Sequence, residues 1–128
     1  MTNKHSFKDS KLFGNQSELA VANFLEKEGF NILKKNYKKF FGEIDIIAGK
    51  KNMVVFVEVK ARKKDAGVMH ELVTPAKQRK IGLVARSFIS EHMQEKEVTY
   101  RFDVALVYAS SDNQKITYIP NAYTVSEY

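Results

Sequence analysis

Residues 53–61 read MVVFVEVKA, and this valine-rich run is the strongest strand signal in the chain. Side chains two positions apart on a strand share a face, so Glu58 and Lys60 are predicted to point to the same side. Upstream, residues 43–48 read EIDIIA and predict another strand. The run between the two is short enough for a hairpin, so the two strands are expected to pair.

The predicted hairpin brings two acids together. If it turns between Lys51 and Asn52, Asp45 lies directly opposite Glu58 and projects from the same face. Opposed carboxylates repel unless a cation lies between them, and the natural candidate is a hard divalent ion such as magnesium or manganese. The alternative is that both acids are ordinary solvent-facing residues. The flanking sequences are too apolar for an edge strand with one face in water, which favours a metal site at Asp45 and Glu58.

The remaining segments predict one α/β domain over residues 1–128. Residues 1–13 are expected to form a flexible basic arm, and residues 62–73 a basic loop beside the proposed site. The other predicted elements are two helices and three strands. They are a helix from Gln16 to Glu28 begun by an Asn15–Glu18 capping box, a strand over Phe30–Asn36, a helix from the Thr74-Pro75 start to His92, and strands over Thr99–Tyr108 and Lys115–Ile119.

Two helical residues have charged side chains on apolar faces. Glu18 lies in the middle of the apolar face of the first helix, where it either completes the capping box or contributes to the site. Lys77 lies among apolar positions at the start of the second helix, the unfavourable end of the helix dipole for a cation. It either contacts a phosphate or extends its ammonium group to solvent.

The charge distribution points to an acidic partner. Residues 1–64 hold 14 of the 21 basic residues and 7 of the 15 acidic ones, so all the excess positive charge lies in this half. A one-sided positive field suits a nucleic acid, although many surface lysines or an anionic membrane are alternatives. Cysteine is absent, which excludes disulfides and thiolate metal sites. The N-terminal residues lack an apolar signal-peptide core, so a cytoplasmic location is expected.

Four blocks together resemble the YraN family of predicted endonucleases in the PD-(D/E)XK, or restriction-endonuclease-like, superfamily, similar in outline to archaeal Holliday-junction resolvases. The blocks are GEIDIIA at 42–48, FVEVKAR at 56–62, Lys77, and RFD at 101–103. The resemblance implies an αβββαβ core, a mixed sheet flanked by helices. It also implies metal binding at Asp45 and Glu58, a water-positioning role for Lys60, and an acidic contribution from Glu18.

The function implied by this resemblance is magnesium-dependent hydrolysis of phosphodiester bonds, with DNA expected over RNA as the substrate. Arg62, Lys63, Lys64 and Lys77 are the expected nucleic-acid contacts. The alternative is a non-catalytic nucleic-acid-binding or scaffolding protein that keeps the nuclease fold. No membrane partner is expected, and a homodimer is one of the assemblies left open.

Overall fold

The computed structural model describes residues 6–62, 73–93, 97–109 and 114–125. Within these residues, two helices and five strands follow one another, and the strands match the predicted ones closely. They are α1 (Ser6–Lys27), β1 (Asn31–Lys39), β2 (Gly42–Lys50), β3 (Met53–Arg62), α2 (Pro75–His92), β4 (Thr99–Ala109) and β5 (Gln114–Tyr123). Most of the predicted basic loop and the first five residues of the predicted arm lie outside the described residues.

The five strands form one mixed sheet in the order β1-β2-β3-β4-β5. Only the β3–β4 pair is parallel among the neighbouring pairs of these strands, and α2 lies in the connection between its members. A parallel pair needs such a crossover, whereas the antiparallel pairs can be joined by tight turns. The predicted α/β fold is confirmed, since the sheet flanked by two helices is consistent with a restriction-endonuclease-like core.

Strand alternation divides the core into two layers. Along β3, Val55 and Val57 pack with Val21 and Leu25 of α1, while Val54 and Phe56 pack on the opposite face with residues of α2. All four β3 side chains are at most 3% exposed. A strand buried on both faces reads as a continuous apolar run, which is why residues 53–59 gave such a clear signal.

The paired part of the β2–β3 hairpin has the predicted register, but the predicted Asp45–Glu58 pair does not form, because the ladder ends at Ile46–Val57. Its pairs run from Lys50–Met53 to Ile46–Val57, so the turn is centred between Lys51 and Asn52. Lys51 adopts a left-handed conformation with φ 55°, as the commonest two-residue hairpin turns favour at their first central position.

The helix boundaries confirm one prediction and correct another. Thr74 caps α2 as predicted, with its hydroxyl accepting the Lys77 main-chain N–H at 3.2 Å. In contrast, α1 begins at Ser6, so residues 6–13 of the predicted arm belong to this helix. Asn15 lies inside the helix, and the predicted capping box is wrong. Extending an existing helix is easier than nucleating one, so a capping residue does not interrupt a helix that has already begun. Of the described segments, no helix combines the length and apolarity needed to cross a bilayer.

Candidate active site

Glu58 and Lys60 occupy successive positions on one face of β3, as their spacing predicted. The side chain of Glu58 is only 7% exposed, yet it lies close to two cations. The Lys60 ammonium nitrogen is 3.5 Å from Glu58 Oε2. A buried carboxylate needs such compensation, because removing its charge from water is costly.

The second cation is Lys77, which reaches the same Glu58 oxygen from α2. Its Nζ lies 2.5 Å from Oε2, closer than Lys60. The Thr74 cap and Pro75 set the first turn of α2, and this turn carries Lys77 over β3. The sequence predicted that Lys77 contacts a phosphate or extends to solvent, and neither alternative includes this pairing with Glu58. The Lys77 side chain nevertheless remains 41% exposed.

The pKa values of the two lysines shift in opposite directions. Burial lowers the pKa of Lys60 below its usual value, and the neighbouring Lys77 lowers it further. Burial also acts to lower the pKa of Lys77, but its hydrogen bond to Glu58 and the Glu58 charge outweigh burial and raise it. Lys77 therefore holds its proton more tightly than Lys60 does.

Asp45 lies where β2 departs from regular strand geometry. Ile44 and Ile46 would share a face in a regular strand, but Ile44 packs in the α2-side layer and Ile46 in the α1-side layer. The β2–β3 ladder ends at the Ile46–Val57 pair, and beyond it Asp45 Oδ2 accepts the main-chain N–H of Val59 at 2.8 Å. The carboxylate thus takes the place of a backbone acceptor where the strands part.

The two predicted metal ligands repel each other electrostatically. Burial, followed by the charge of Glu58, raises the pKa of Asp45 from 3.8 to about 7, and the Val59 N–H opposes this rise. Lys60 and Lys77 therefore do not fully compensate the two acids. Additional positive charge at this point would favour the ionised form of Asp45.

Glu18 approaches the same region from α1, on the other side of the sheet. Its side chain hydrogen-bonds to Asn36, a β1 residue with φ 52° that lies opposite Asp45 in the strand register. Burial raises the pKa of Glu18, Asn36 opposes the rise, and Glu43 adds to it. With the capping role excluded, Glu18 is a neighbouring acid that contributes to the negative field around Asp45.

The predicted basic contacts beside the site are only partly described. Arg62 ends β3, is partly buried, and donates from its guanidinium to the Ala61 carbonyl oxygen at 2.8 Å. Lys63 and Lys64 lie outside the described residues.

Asp103 on β4 is a second buried acid besides Glu58, and it was not among the predicted site residues. Asp103 is 0% exposed and accepts two hydrogen bonds from Arg101, both at 2.9 Å. Tyr118 donates to it at 2.5 Å and the Asn121 main-chain N–H at 2.8 Å. A sequence signal was available, because Arg101 and Asp103 are two apart on an apolar strand and therefore share a face.

The comparisons with known proteins agree on one family. Residues 17–107 match the model of the uncharacterised protein family UPF0102. The chain belongs to this family. It is 41% identical over 113 residues to a UPF0102 protein of Caldicellulosiruptor saccharolyticus, covering 86% of this chain and 95% of the relative. It is 40% identical over 110 residues to one of Vibrio parahaemolyticus, covering 85% and 89%. The YraN resemblance is thereby confirmed, since UPF0102 is that family.

The UPF0102 match spans every site residue from Glu18 to Lys77. Within the described residues, no group of three or more His, Asp or Glu side chains is placed to hold a metal ion. Asp45 and Glu58 are nevertheless a suitable pair, because magnesium is commonly bound by one or two carboxylates together with water and substrate phosphates. Burial is the largest cause of the raised pKa of Asp45, and the Glu58 charge is the second; a cation bound between the two acids would oppose this second cause.

Proposed function

We propose that this UPF0102 member is a metal-dependent nuclease that hydrolyses phosphodiester bonds, with DNA as its substrate. The observation that carries the proposal is the convergence of Asp45, Glu58 and Lys60 with Lys77 from α2. Charged groups held together out of water, with strongly shifted pKa values, are typical of active sites. The sequence blocks that resemble PD-(D/E)XK nucleases supply the same three β-strand residues.

In this proposal Asp45 and Glu58 hold magnesium or manganese. When bound, such an ion lowers the pKa of a coordinated water and neutralises charge on the phosphate. The contribution of the chain is to hold two carboxylates on adjacent strands. Asp45 is fixed by its hydrogen bond to Val59, and Glu58 by burial in the sheet.

Lys60 is proposed to orient the attacking water and to stabilise the negative charge that develops on the phosphate. Both tasks require a protonated amine. Its position 3.5 Å from Glu58 favours the protonated form, although burial and Lys77 lower its pKa. We therefore assign Lys60 to orientation and charge stabilisation rather than to proton abstraction.

Lys77 is proposed to exchange partners during binding. Without substrate it neutralises Glu58, and it is exposed enough to turn towards an incoming phosphate. A cation bound to Glu58 would release it for this contact. The basic residues that follow β3, namely Arg62, Lys63 and Lys64, are proposed to contact phosphates farther along the strand.

The test is incubation with a panel of labelled DNAs and RNAs in single-stranded, duplex, forked and four-way forms. Magnesium or manganese is supplied in one arm and a chelator in the other. We expect cleavage of at least one DNA only in the presence of metal. Asp45→Asn should abolish that cleavage while still binding the same DNA, because it removes a metal ligand and reduces negative charge near the phosphate.

Two outcomes would contradict the proposal. Cleavage that survives in Asp45→Asn would show that the activity arises elsewhere, including from a contaminant. Tight DNA binding with no cleavage under either metal would favour the alternative, a binding or scaffolding protein that keeps the fold.

A further inference from the structure

The tip of the β1–β2 hairpin displays a fully exposed aromatic ring. Strands β1 and β2 end at the Lys39–Gly42 pair, which leaves a two-residue turn of Phe40 and Phe41. Phe40 is 100% exposed, whereas Phe41 packs against the α2-side core. Neither Phe40 nor Phe41 has a positive φ, so the turn accepts most residue types and gives no specific reason for phenylalanine at position 40.

The tip is supported by packing at its base. A Cβ atom added to Gly42 would lie 3.0 Å from Val84 Cγ2 and 3.6 Å from Lys80 Cβ, so the hairpin closely approaches α2 there. The rings of Phe40 and Phe41 meet edge to face, with their centroids 4.9 Å apart. Phe40 is therefore exposed at the tip of a hairpin whose base packs against α2.

Lysines lie along the hairpin that carries this ring. Lys34, Lys35 and Lys38 are exposed on β1, and Lys80 lies beside the base of the hairpin. Lys39 pairs with Glu91 at 2.8 Å and so contributes less to the local field. A single exposed apolar side chain is common on protein surfaces. An exposed ring at the tip of a lysine-bearing hairpin matches a specific ligand, a nucleic acid strand that offers phosphates to the lysines and a base face to the ring.

The position of the tip relates it to the candidate active site. Phe40 precedes Asp45 by five residues, and a strand rises about 3.4 Å per residue, so the two are separated by at most about 17 Å along the hairpin. This span corresponds to about five base-pair steps of duplex at about 3.4 Å each. A nucleic acid that enters the site can therefore also reach the tip.

We propose that Phe40 is a stacking wedge that selects nucleic acids with unpaired bases beside a duplex, such as forks and branches. This inference rests on the proposed function and specifies the substrate class of the same site. In fully paired DNA the base faces are covered by their neighbours, so the ring can stack only after unstacking a step. At a fork the terminal base presents its face at once, and the lysines hold the backbone on either side.

The absence of tryptophan from the chain provides a direct probe. Phe40→Trp places a single indole at the tip, and its fluorescence is titrated with forked DNA and with fully paired DNA of matched length, both in chelator. We expect strong quenching by the fork and little by the duplex. Tyr100→Trp is the matched control, because Tyr100 is a partly exposed aromatic at the opposite end of the sheet and should not respond.

A binding measurement with Phe40→Ala completes the test. Affinity for forked DNA should fall about tenfold, as expected for loss of one base–aromatic stack, while affinity for the paired duplex stays the same. The ring is fully exposed, so this change should leave the fold intact. Equal quenching by fork and duplex, or unchanged fork affinity in Phe40→Ala, would overturn the proposal.

The outcomes also separate the wedge from the nuclease. If cleavage depends on metal but the indole of Phe40→Trp stays unquenched, the stacking role of Phe40 is rejected and the proposed nuclease activity stands. If the fork quenches the indole but no DNA is cleaved, the stacking role of Phe40 is supported and the proposed nuclease activity is rejected. A blue-shifted indole spectrum of Phe40→Trp with anionic phospholipid vesicles, and no response to DNA, would instead assign the tip to a membrane surface and overturn the wedge.

Discussion

Glu58 and Asp103 are buried acids on neighbouring strands of one sheet, and their surroundings differ completely. Asp103 accepts four hydrogen bonds, from Arg101, Tyr118 and the Asn121 main chain, so its acceptor sites are filled. Glu58 is paired with Lys77 and Lys60, and a second acid, Asp45, lies within its electrostatic reach. One acid is satisfied within the fold, while the other belongs to an incompletely compensated group.

This contrast separates an acid with a structural role, Asp103, from one that we propose to bind a metal ion, Glu58. Asp103 holds β5 to β4 at an irregularity in their pairing, where Asn121 has φ 52° and Pro120 has no N–H to donate. No ligand could bind its carboxylate without displacing those partners. Glu58 faces Lys77, a long and partly exposed side chain that can move away.

The largest effect on stability is expected at Asp103. Asp103→Asn keeps the shape of the side chain but removes the charge that Arg101 faces, and breaking a buried pair on one side costs about 3 kcal/mol. Urea unfolding of the variant and the parent measures the change. The same substitution at position 45 is the matched control, and an equal loss at both positions would remove the distinction between the two acids.

Glu58→Gln is expected to be less costly, at about 2 kcal/mol, because Lys60 and Lys77 lose the acid they share and are left facing each other. The measurement is urea unfolding without metal. The double variant Glu58→Gln with Lys77→Met should recover part of the loss, since it removes one of the two opposed cations. No recovery would show that the loss has another cause.

Asp45→Asn should raise stability at pH 8, the opposite sign from Asp103→Asn and Glu58→Gln, because burial and the Glu58 charge disfavour the ionised carboxylate. The pKa of Asp45 is about 7 in the fold against 3.8 in the unfolded chain, so between these values the folded protein holds a proton that the unfolded chain has released. Its contribution to stability is therefore full below about pH 4 and is lost as the pH rises to about 7. The advantage of Asn over Asp should vanish at pH 4 and grow towards pH 8. A constant difference across this range would contradict the raised pKa.

The smallest effect is stabilisation by metal. Magnesium at three times its dissociation constant should stabilise the parent by about 0.8 kcal/mol, because it binds the folded chain only. The increase in melting temperature should be absent from Asp45→Asn and retained in Asp103→Asn. Equal increases in all three proteins would place the ion outside the candidate site.

The sequence predicted those parts of the site that depend on local periodicity. Alternation in β3 placed Glu58 beside Lys60, and the hairpin between Lys51 and Asn52 set the register that brings Asp45 near Glu58. It did not predict the contact of Lys77 with Glu58. That contact depends on how α2 crosses the sheet, and this crossing is set by tertiary packing.

Other features were not predicted from the sequence, each for a different physical reason. The start of α1 was misplaced because a capping pattern is local, whereas helix length reflects the whole segment. The break in β2 at Asp45 accompanies a left-handed Asn36 on β1, a conformation that Asn tolerates without requiring it. The exposure of Phe40 could not be predicted from the sequence pattern, since a pair of adjacent aromatic residues usually indicates a core position.

The parallel pairing of β3 with β4 has a consequence for the order of folding. The β1–β2–β3 meander is made of contacts between near neighbours in sequence, so it can form early, and it already contains Asp45, Glu58 and Lys60. Pairing of β4 must wait until the chain has crossed back through α2, which makes it the slower, long-range step. A change at Asp103 should therefore act mainly by speeding unfolding, whereas changes in the meander should alter the rate of folding.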